Sequence, residues 1–168
     1  EIGGKDSMSV PFENIDGPPP LFPSPEPPEK VQNIVPTELK KAGTRVVMLP
    51  PAYAEANLPE TASLISLYNR VTDILRRGVA VAAYTPTIGG VAEAVMKMAF
   101  GNGFGFDFSD SLTLKDIFAY HYGSFILEVT KEVPDALLLG TVTDKKSFCY
   151  RGESVSEDKL LKVYEDKL

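Results

Sequence analysis

The sequence predicts an α/β fold, an α+β layered domain in which helices flank a mixed β-sheet. Three observations carry that expectation. Short apolar runs, Val46-Val47-Met48-Leu49 and Val79 to Tyr84, have the length of strands. Leu64, Leu67, Tyr68, Val71, Ile74 and Leu75 recur at spacings of three and four, which is one face of a helix, and the two patterns alternate along the chain. Hydrophobic residues make up 43% of the 168 positions and charged residues 24%, enough for one ordinary core with a small appendage.

The elements follow in order. Residues 17–28, GPPPLFPSPEPP, hold seven of the 14 prolines. So many missing N–H donors and fixed φ angles forbid helix and discourage sheet pairing, so this stretch is predicted to be an extended arm. From Pro36 the texture changes: TELKKAG ends at Gly43, and Val46 to Leu49 form the first core strand. The helix within PETASLISLYNRVTDILRRG closes on Arg76 and Arg77, which favour the negative end of the macrodipole, and on Gly78, which can take the left-handed conformation. VAVAAY is a small-residue strand leading to the turn Thr87-Ile88-Gly89-Gly90. A helix follows with a narrower stripe of Val91, Val95, Met98 and Ala99, ended by Gly101. FGFDF reads as a strand, and SLTLKDIFAYHY as a short capped helix or a loop with one turn. GSFILEVT and DALLLGTVTD read as strands and SFCYRGESV as a hairpin at the edge, while Ser154 and Glu157 have the spacing of a capping box for the terminal helix.

Charge and cysteine usage narrow the classes of function. Seventeen basic residues against 23 acidic ones leave a net charge of −6 without any Lys/Arg-rich run, which argues against a nucleic-acid partner. The single cysteine, Cys149, excludes an intramolecular disulfide framework and a Cys-rich zinc site and fits a reducing cytoplasm. No run of about 18 apolar residues occurs, and the first residues lack the pattern of a signal peptide, so a cytoplasmic protein without a membrane partner is expected. There is no initiator Met, and Gly3-Gly4 precede any element, which suggests a piece of a longer polypeptide.

Two stretches carry chemistry. A Gly-Gly pair between a strand and a helix lets backbone N–H groups approach a phosphate at the positive end of the helix, but it equally makes a close-packed bend. The spacing around Gly89-Gly90 is neither a dinucleotide fingerprint nor a P-loop. In GGKDSMS, Gly3 to Ser9, Lys5 can neutralise a phosphate, Asp6 can hold magnesium or orient a donor, and Ser7 adds a hydroxyl; a disordered polar tail is the alternative. His121 and Cys149 have no neighbouring partner that would make a nucleophilic couple, so no catalytic residue is assigned. Phe100, Phe104, Phe106 and Phe108 are expected to serve packing.

GGKDSMS, followed by Phe12 to Pro19, KKAGTRVVML, the strand and Gly-Gly turn, and AEAVMKMAFGNGFGFDF, resembles the phosphoribosylformylglycinamidine synthase family of purine biosynthesis. More broadly, residues from about 44 to 168 are similar to the C-terminal domain of the aminoimidazole ribonucleotide synthase superfamily, whose closing pattern LLLGTVTDKKSFCYRGESV also fits. The resemblance implies that residues 1–35 are the tail of a preceding N-terminal-like subdomain plus the proline-rich arm, and that residues 36–168 are the C-terminal-like domain. It implies an ATP-dependent C–N ligase acting on formylglycinamide ribonucleotide with glutamine as amido donor. ATP and magnesium would be its cofactors, N-terminal synthase subdomains and a glutaminase domain its partners, and this chain alone would be inactive.

The family turn reads His-Asp-x-Ser-Asp-Gly-Gly, where this sequence has Tyr84-Thr85-Pro86-Thr87-Ile88-Gly89-Gly90. The resemblance therefore implies nucleotide or phosphate contacts at Thr87, Gly89 and Gly90, together with Lys5, Asp6 and Ser7 of the GKDS motif. It implies no metal ligand, because both carboxylates of the turn are replaced. Two alternatives stand beside it. One is a non-catalytic assembly domain holding a structural nucleotide. The other is a different superfamily member, such as a selenophosphate or thiamine-phosphate kinase or a hydrogenase maturation protein, which GGKDSMS argues against.

Overall fold

A computed structural model of the chain describes residues 34–55 and 58–166. The expectations for Lys5, Asp6, Ser7 and the proline-rich arm lie outside the described residues. Strand β1 (Arg45–Leu49) runs between β4 (Phe125–Val129) and β5 (Leu137–Thr143), antiparallel to both. Beyond β4 lies β2 (Ala80–Tyr84). Beyond β5 lie β3 (Gly105–Phe108), β6 (Ser147–Tyr150) and β7 (Glu153–Ser156), giving a seven-stranded sheet of order β2-β4-β1-β5-β3-β6-β7. The β3–β6 pair is parallel and the other pairs antiparallel, so the sheet is mixed as expected. The link from β5 to β6 closes over the start of β3. A Cβ on Gly105 would lie 2.5 Å from the Ser147 carbonyl oxygen and 2.7 Å from the Thr143 hydroxyl, so a residue without a side chain is required there.

Alternation along β1 explains why its run is apolar at consecutive positions. Val46 and Met48 face one core and Val47 and Leu49 the other, because successive strand side chains point to opposite faces and both faces are covered here. Helix α1 (Thr61–Arg76) covers one face with buried Leu67, Val71 and Ile74. Tyr68, which shares the same periodic stripe, sits on its shoulder at 48% exposure, with its ring edge-on to Phe125 at 5.8 Å. Gly78 has φ +64 and stops the helix as the sequence predicts. Helix α2 (Gly90–Phe100) covers the other face with Val91, Ala94, Val95, Met98 and Ala99 packed on Val46, Ile126, Phe106 and Val142. It ends before Gly101, which keeps a right-handed φ of −59, whereas the left-handed turn residue is Gly103 at φ +65.

Helix α3 (Leu114–Phe118) is a single capped turn. The Thr113 hydroxyl accepts from the Asp116 N–H, and the Asp116 carboxylate accepts from the Thr113 N–H at 2.7 Å. The expected Ser154–Glu157 capping box does not form. Ser154 lies inside β7, paired with Cys149, and the cap of α4 (Glu157–Glu165) is Ser156, whose hydroxyl accepts from the Lys159 N–H. The strand thus continues to the residue before the helix. Glu157 becomes the first helical residue, with its N–H donated to the Lys146 carbonyl at 2.9 Å.

The segment 36–44 joins these layers. The Pro36 carbonyl accepts from Ala83 of β2, the Leu39 N–H reaches the Met98 carbonyl of α2, and the Gly43 N–H reaches the Val142 carbonyl of β5. At its centre is Glu128, fully buried in β4. Its Oε2 accepts from the Lys40 N–H at 2.7 Å, and its Oε1 accepts from the Lys41 N–H at 3.1 Å and from the Thr44 hydroxyl at 2.5 Å. A buried carboxylate is tolerable because donors meet both oxygens. Glu128→Ala strands two backbone donors and a hydroxyl, so urea unfolding is expected to show a loss of about 3 kcal/mol. Glu128→Gln should lose less, because one acceptor oxygen remains; equal stability of wild type and Glu128→Ala would remove this anchor from the account.

Candidate functional site

The turn that the sequence singles out connects the end of β2 to the start of α2. The Gly90 N–H donates to the Thr87 carbonyl at 3.0 Å, closing a tight turn in which Gly90 has φ +66. A Cβ on Gly90 would stand 2.7 Å from the Ala119 carbonyl oxygen and 3.0 Å from that of Ile117. The second glycine is therefore required both by its left-handed φ and by close packing against the end of α3. Pro86 and Gly90 are buried, while Thr85, Thr87 and Ile88 are exposed.

The donors of this turn converge on a carboxylate from the same chain. Glu93, in the first turn of α2, accepts at Oε2 from the Gly89 N–H at 2.9 Å and from the Thr87 hydroxyl at 2.7 Å. Its Oε1 accepts from the Lys97 ammonium, also at 2.7 Å. The Lys97 contact foremost, then the Thr87 hydroxyl and the Gly89 N–H, outweigh the opposing effect of burial and hold the Glu93 carboxyl at about 2, well below its ordinary 4.5. The same pairing raises Lys97. Position adds to this, since a negative charge in the first turn of a helix is favoured by the macrodipole. A Cβ on Gly89 would lie 2.4 Å from Glu93 Cβ, so the first glycine makes room for the clasp.

The structure thus brings Thr87, Gly89 and Gly90 together at one helix end. The residue that organises them, Glu93, was not singled out in the sequence. Its signal was there: a Glu in the first helical turn with Lys97 four residues on is the favourable order for an intrahelical pair. Beside the clasp opens a cavity of about 580 Å³ between α2, α3, the β6–β7 hairpin and α4. Its lining is mostly apolar, with Ala92, Met96, Phe108, Phe118, Tyr150 and Leu160 among its walls. Cys149 reaches this cavity half-buried, with its sulfur 3.7 Å from the Ser147 hydroxyl. His121 stands apart, its Nε2 3.0 Å from the Asp116 carbonyl oxygen.

Magnesium does not fit this turn. Hard cations take several oxygen ligands, with carboxylates foremost, and both oxygens of the carboxylate present are committed to Thr87, Gly89 and Lys97. Among the described residues, no three His, Cys, Asp or Glu side chains group as a metal set. Among the same residues, no helix is long and apolar enough to cross a membrane.

A seven-stranded mixed sheet with helices on both faces and a Gly-Gly turn opening α2 defines a domain of the aminoimidazole ribonucleotide synthase-like fold. Solved structures with this fold include PurL, the phosphoribosylformylglycinamidine synthase of Thermotoga maritima. Its complex with ADP matches with a TM-score of 0.62 at 10% identity, over 75% of this chain and 26% of that one. A further structure of the T. maritima synthase matches with a TM-score of 0.64 at 11% identity, over 76% and 27%. The hydrogenase maturation protein HypE of E. coli matches with a TM-score of 0.54 at 20% identity, over 73% of this chain and 51% of HypE. The chain thus spans about a quarter of the length of the PurL chains. No family model matches the sequence.

The clasp makes a pH-dependent contribution whose sign is fixed. Glu93 is depressed in the folded state, so the clasp stabilises fully above about pH 4.5 and its contribution is lost as pH falls toward 2. Glu93 is partly exposed, and after discounting for solvent screening the effect amounts to about 1–2 kcal/mol. Across that window, chemical denaturation is expected to show wild type losing this much more stability than Glu93→Gln. Asp116, also lowered, chiefly by its bonds to Thr113, titrates in both proteins and cancels from the difference. Parallel pH profiles would mean that the clasp carries no folding energy.

Proposed function

We propose that this chain is a domain of a phosphoribosylformylglycinamidine synthase-type amidoligase. In that reading the whole enzyme uses ATP and glutamine to convert formylglycinamide ribonucleotide to the amidine in the cytoplasm. The observation that carries the reading is the shared fold with T. maritima PurL, structures of which are complexed with ADP, ATP and FGAR. The chain would work beside N-terminal synthase subdomains and a glutaminase domain supplied by the rest of the enzyme. Bound ATP supplies the phosphoryl group that activates the amide oxygen.

This chain's own part would be to position phosphate. The Thr87 hydroxyl and the Gly89 N–H are the donors offered by the turn, with the backbone at Gly90 bent to present them. Lys5, Asp6 and Ser7 of the GKDS motif would be further phosphate contacts. Phosphate must displace the Glu93 carboxylate to reach these donors, since Glu93 now accepts from both. Magnesium, given the committed donor set, would be held by residues elsewhere in the enzyme.

That same clasp favours a second reading, an assembly domain without a catalytic contact. A turn whose donors are satisfied internally has no need of a ligand. Amidine formation by the full-length polypeptide separates the readings. Under the first, Thr87→Ala raises the KM for ATP or for formylglycinamide ribonucleotide by about tenfold, the loss of one charge-assisted hydrogen bond, while the isolated 168-residue chain stays inactive with ammonia. Unchanged kinetics with a lowered melting temperature supports assembly. A full-length polypeptide that forms no amidine removes the first reading.

A further inference from the structure

A second polar hollow lies at the opposite end of β1 from the strand's apolar run into residue 49, where the 36–44 segment enters β1 and β4 leaves the sheet. It encloses about 570 Å³ and is lined by Lys41, Gly43, Thr44, Arg45, Thr130, Lys131 and Glu132, among others. Its shape is set by the backbone. Arg45 pairs with Val129 across the sheet, the Thr130 hydroxyl donates to the Val79 carbonyl at 3.1 Å, and the Gly43 N–H is held by the Val142 carbonyl. Lys41 is tied down through its own N–H, which donates to buried Glu128.

The charges at this hollow are unbalanced. Among the described residues, the side-chain nitrogens of Lys41, Arg45 and Lys131 enter no hydrogen bond or ion pair. Two carboxylates are near enough to matter. Glu128 lies beneath the wall with both oxygens spent on the Lys40 and Lys41 N–H groups and the Thr44 hydroxyl. Glu132 is exposed on the rim. Three cations against the rim carboxylate and buried Glu128, whose charge its neutral donors do not cancel, leave about one positive charge in excess at the hollow, in a chain whose net charge is −6.

We infer that this hollow binds a phosphate dianion, free or as the end group of a small phosphomonoester. Such a group carries about −1.5 to −2 at neutral pH, and the three side-chain cations of Lys41, Arg45 and Lys131 are the groups that would meet it. The neighbouring hydroxyls cannot add to it, because Thr44 donates to Glu128 and Thr130 donates to Val79. Recognition therefore falls to the cations, and binding must be sensitive to salt. The site is separate from the Thr87–Gly90 turn, which lies at the other end of the neighbouring strands.

The test is a titration of the full chain followed through backbone amide shifts, with inorganic phosphate in one arm and glycerol 3-phosphate in the other. Saturable shifts at Gly43, Thr44, Thr130 and Lys131 are expected, weakening several-fold between about 20 and 200 mM salt. Lys41→Gln with Lys131→Gln, both exposed positions that leave the core intact, is expected to weaken binding about tenfold. Tighter binding of the ester assigns the physiological source to a phosphomonoester, and equal binding to free phosphate. Shifts confined to Thr87–Gly90, an unchanged affinity in the double variant, or no saturation by either anion overturns the inference.

Discussion

A single buried carboxylate decides how this domain is held together. Glu128 sits in the interior of the sheet, and its carboxylate is met by two backbone N–H groups and a hydroxyl of the segment that leads into β1. Burying a charge is costly unless every lone pair finds a donor, so the 36–44 segment has one favourable position. That position in turn places the Leu39 N–H on the end of α2, the Pro36 carbonyl on the edge of β2 and the Gly43 N–H on β5. One electrostatic requirement thereby joins the first strand, the edge strand β2, the interior strand β5 and the helix that carries the candidate site.

The candidate site uses the same physics in a more exposed setting. Glu93 also lies among donors of its own chain, but it shares them with Lys97 and with solvent. The difference in burial separates a structural anchor from a displaceable one. Glu128 cannot leave without stranding donors away from water, whereas Glu93 leaves donors that water or a phosphate can take up. The turn is therefore built for an anion and already supplied with one. For any ligand at this helix end, affinity is set by its advantage over a tethered carboxylate rather than by the bare strength of the donors.

The apolar cavity beside this turn and the cationic hollow at the far end of β1 divide the molecule by chemistry. The first is walled mostly by aromatic and aliphatic side chains from α2, α3, α4 and the β6–β7 hairpin, and Gly89 and Glu93 link it to the charged turn. The second is walled by main chain and cations. Helix α1 packs on the strands around β1 and β4, and α2 covers the other face of the sheet.

Much of the fold was legible in residue order alone. The short apolar run of β1, the period near 3.6 in α1 and α2, the stop at Gly78 and a turn of helix or loop before His121 are local properties, determined by side-chain direction and backbone sterics within a few residues. The Gly-Gly turn was legible as a bend able to receive an anion. The Ser154 cap was misplaced because hairpin pairing with Cys149, a tertiary event, extends β7 through Ser156. Glu128 reads as one polar residue in an apolar strand, and its partners at Lys40, Lys41 and Thr44 lie more than 80 positions away. By itself, then, the sequence determined which segments become strands, helices and turns. The strand order, the Glu128 anchor and the seating of Glu93 on Thr87 and Gly89 were decided only by the tertiary structure, because each depends on where donors and acceptors come to lie once the layers have packed.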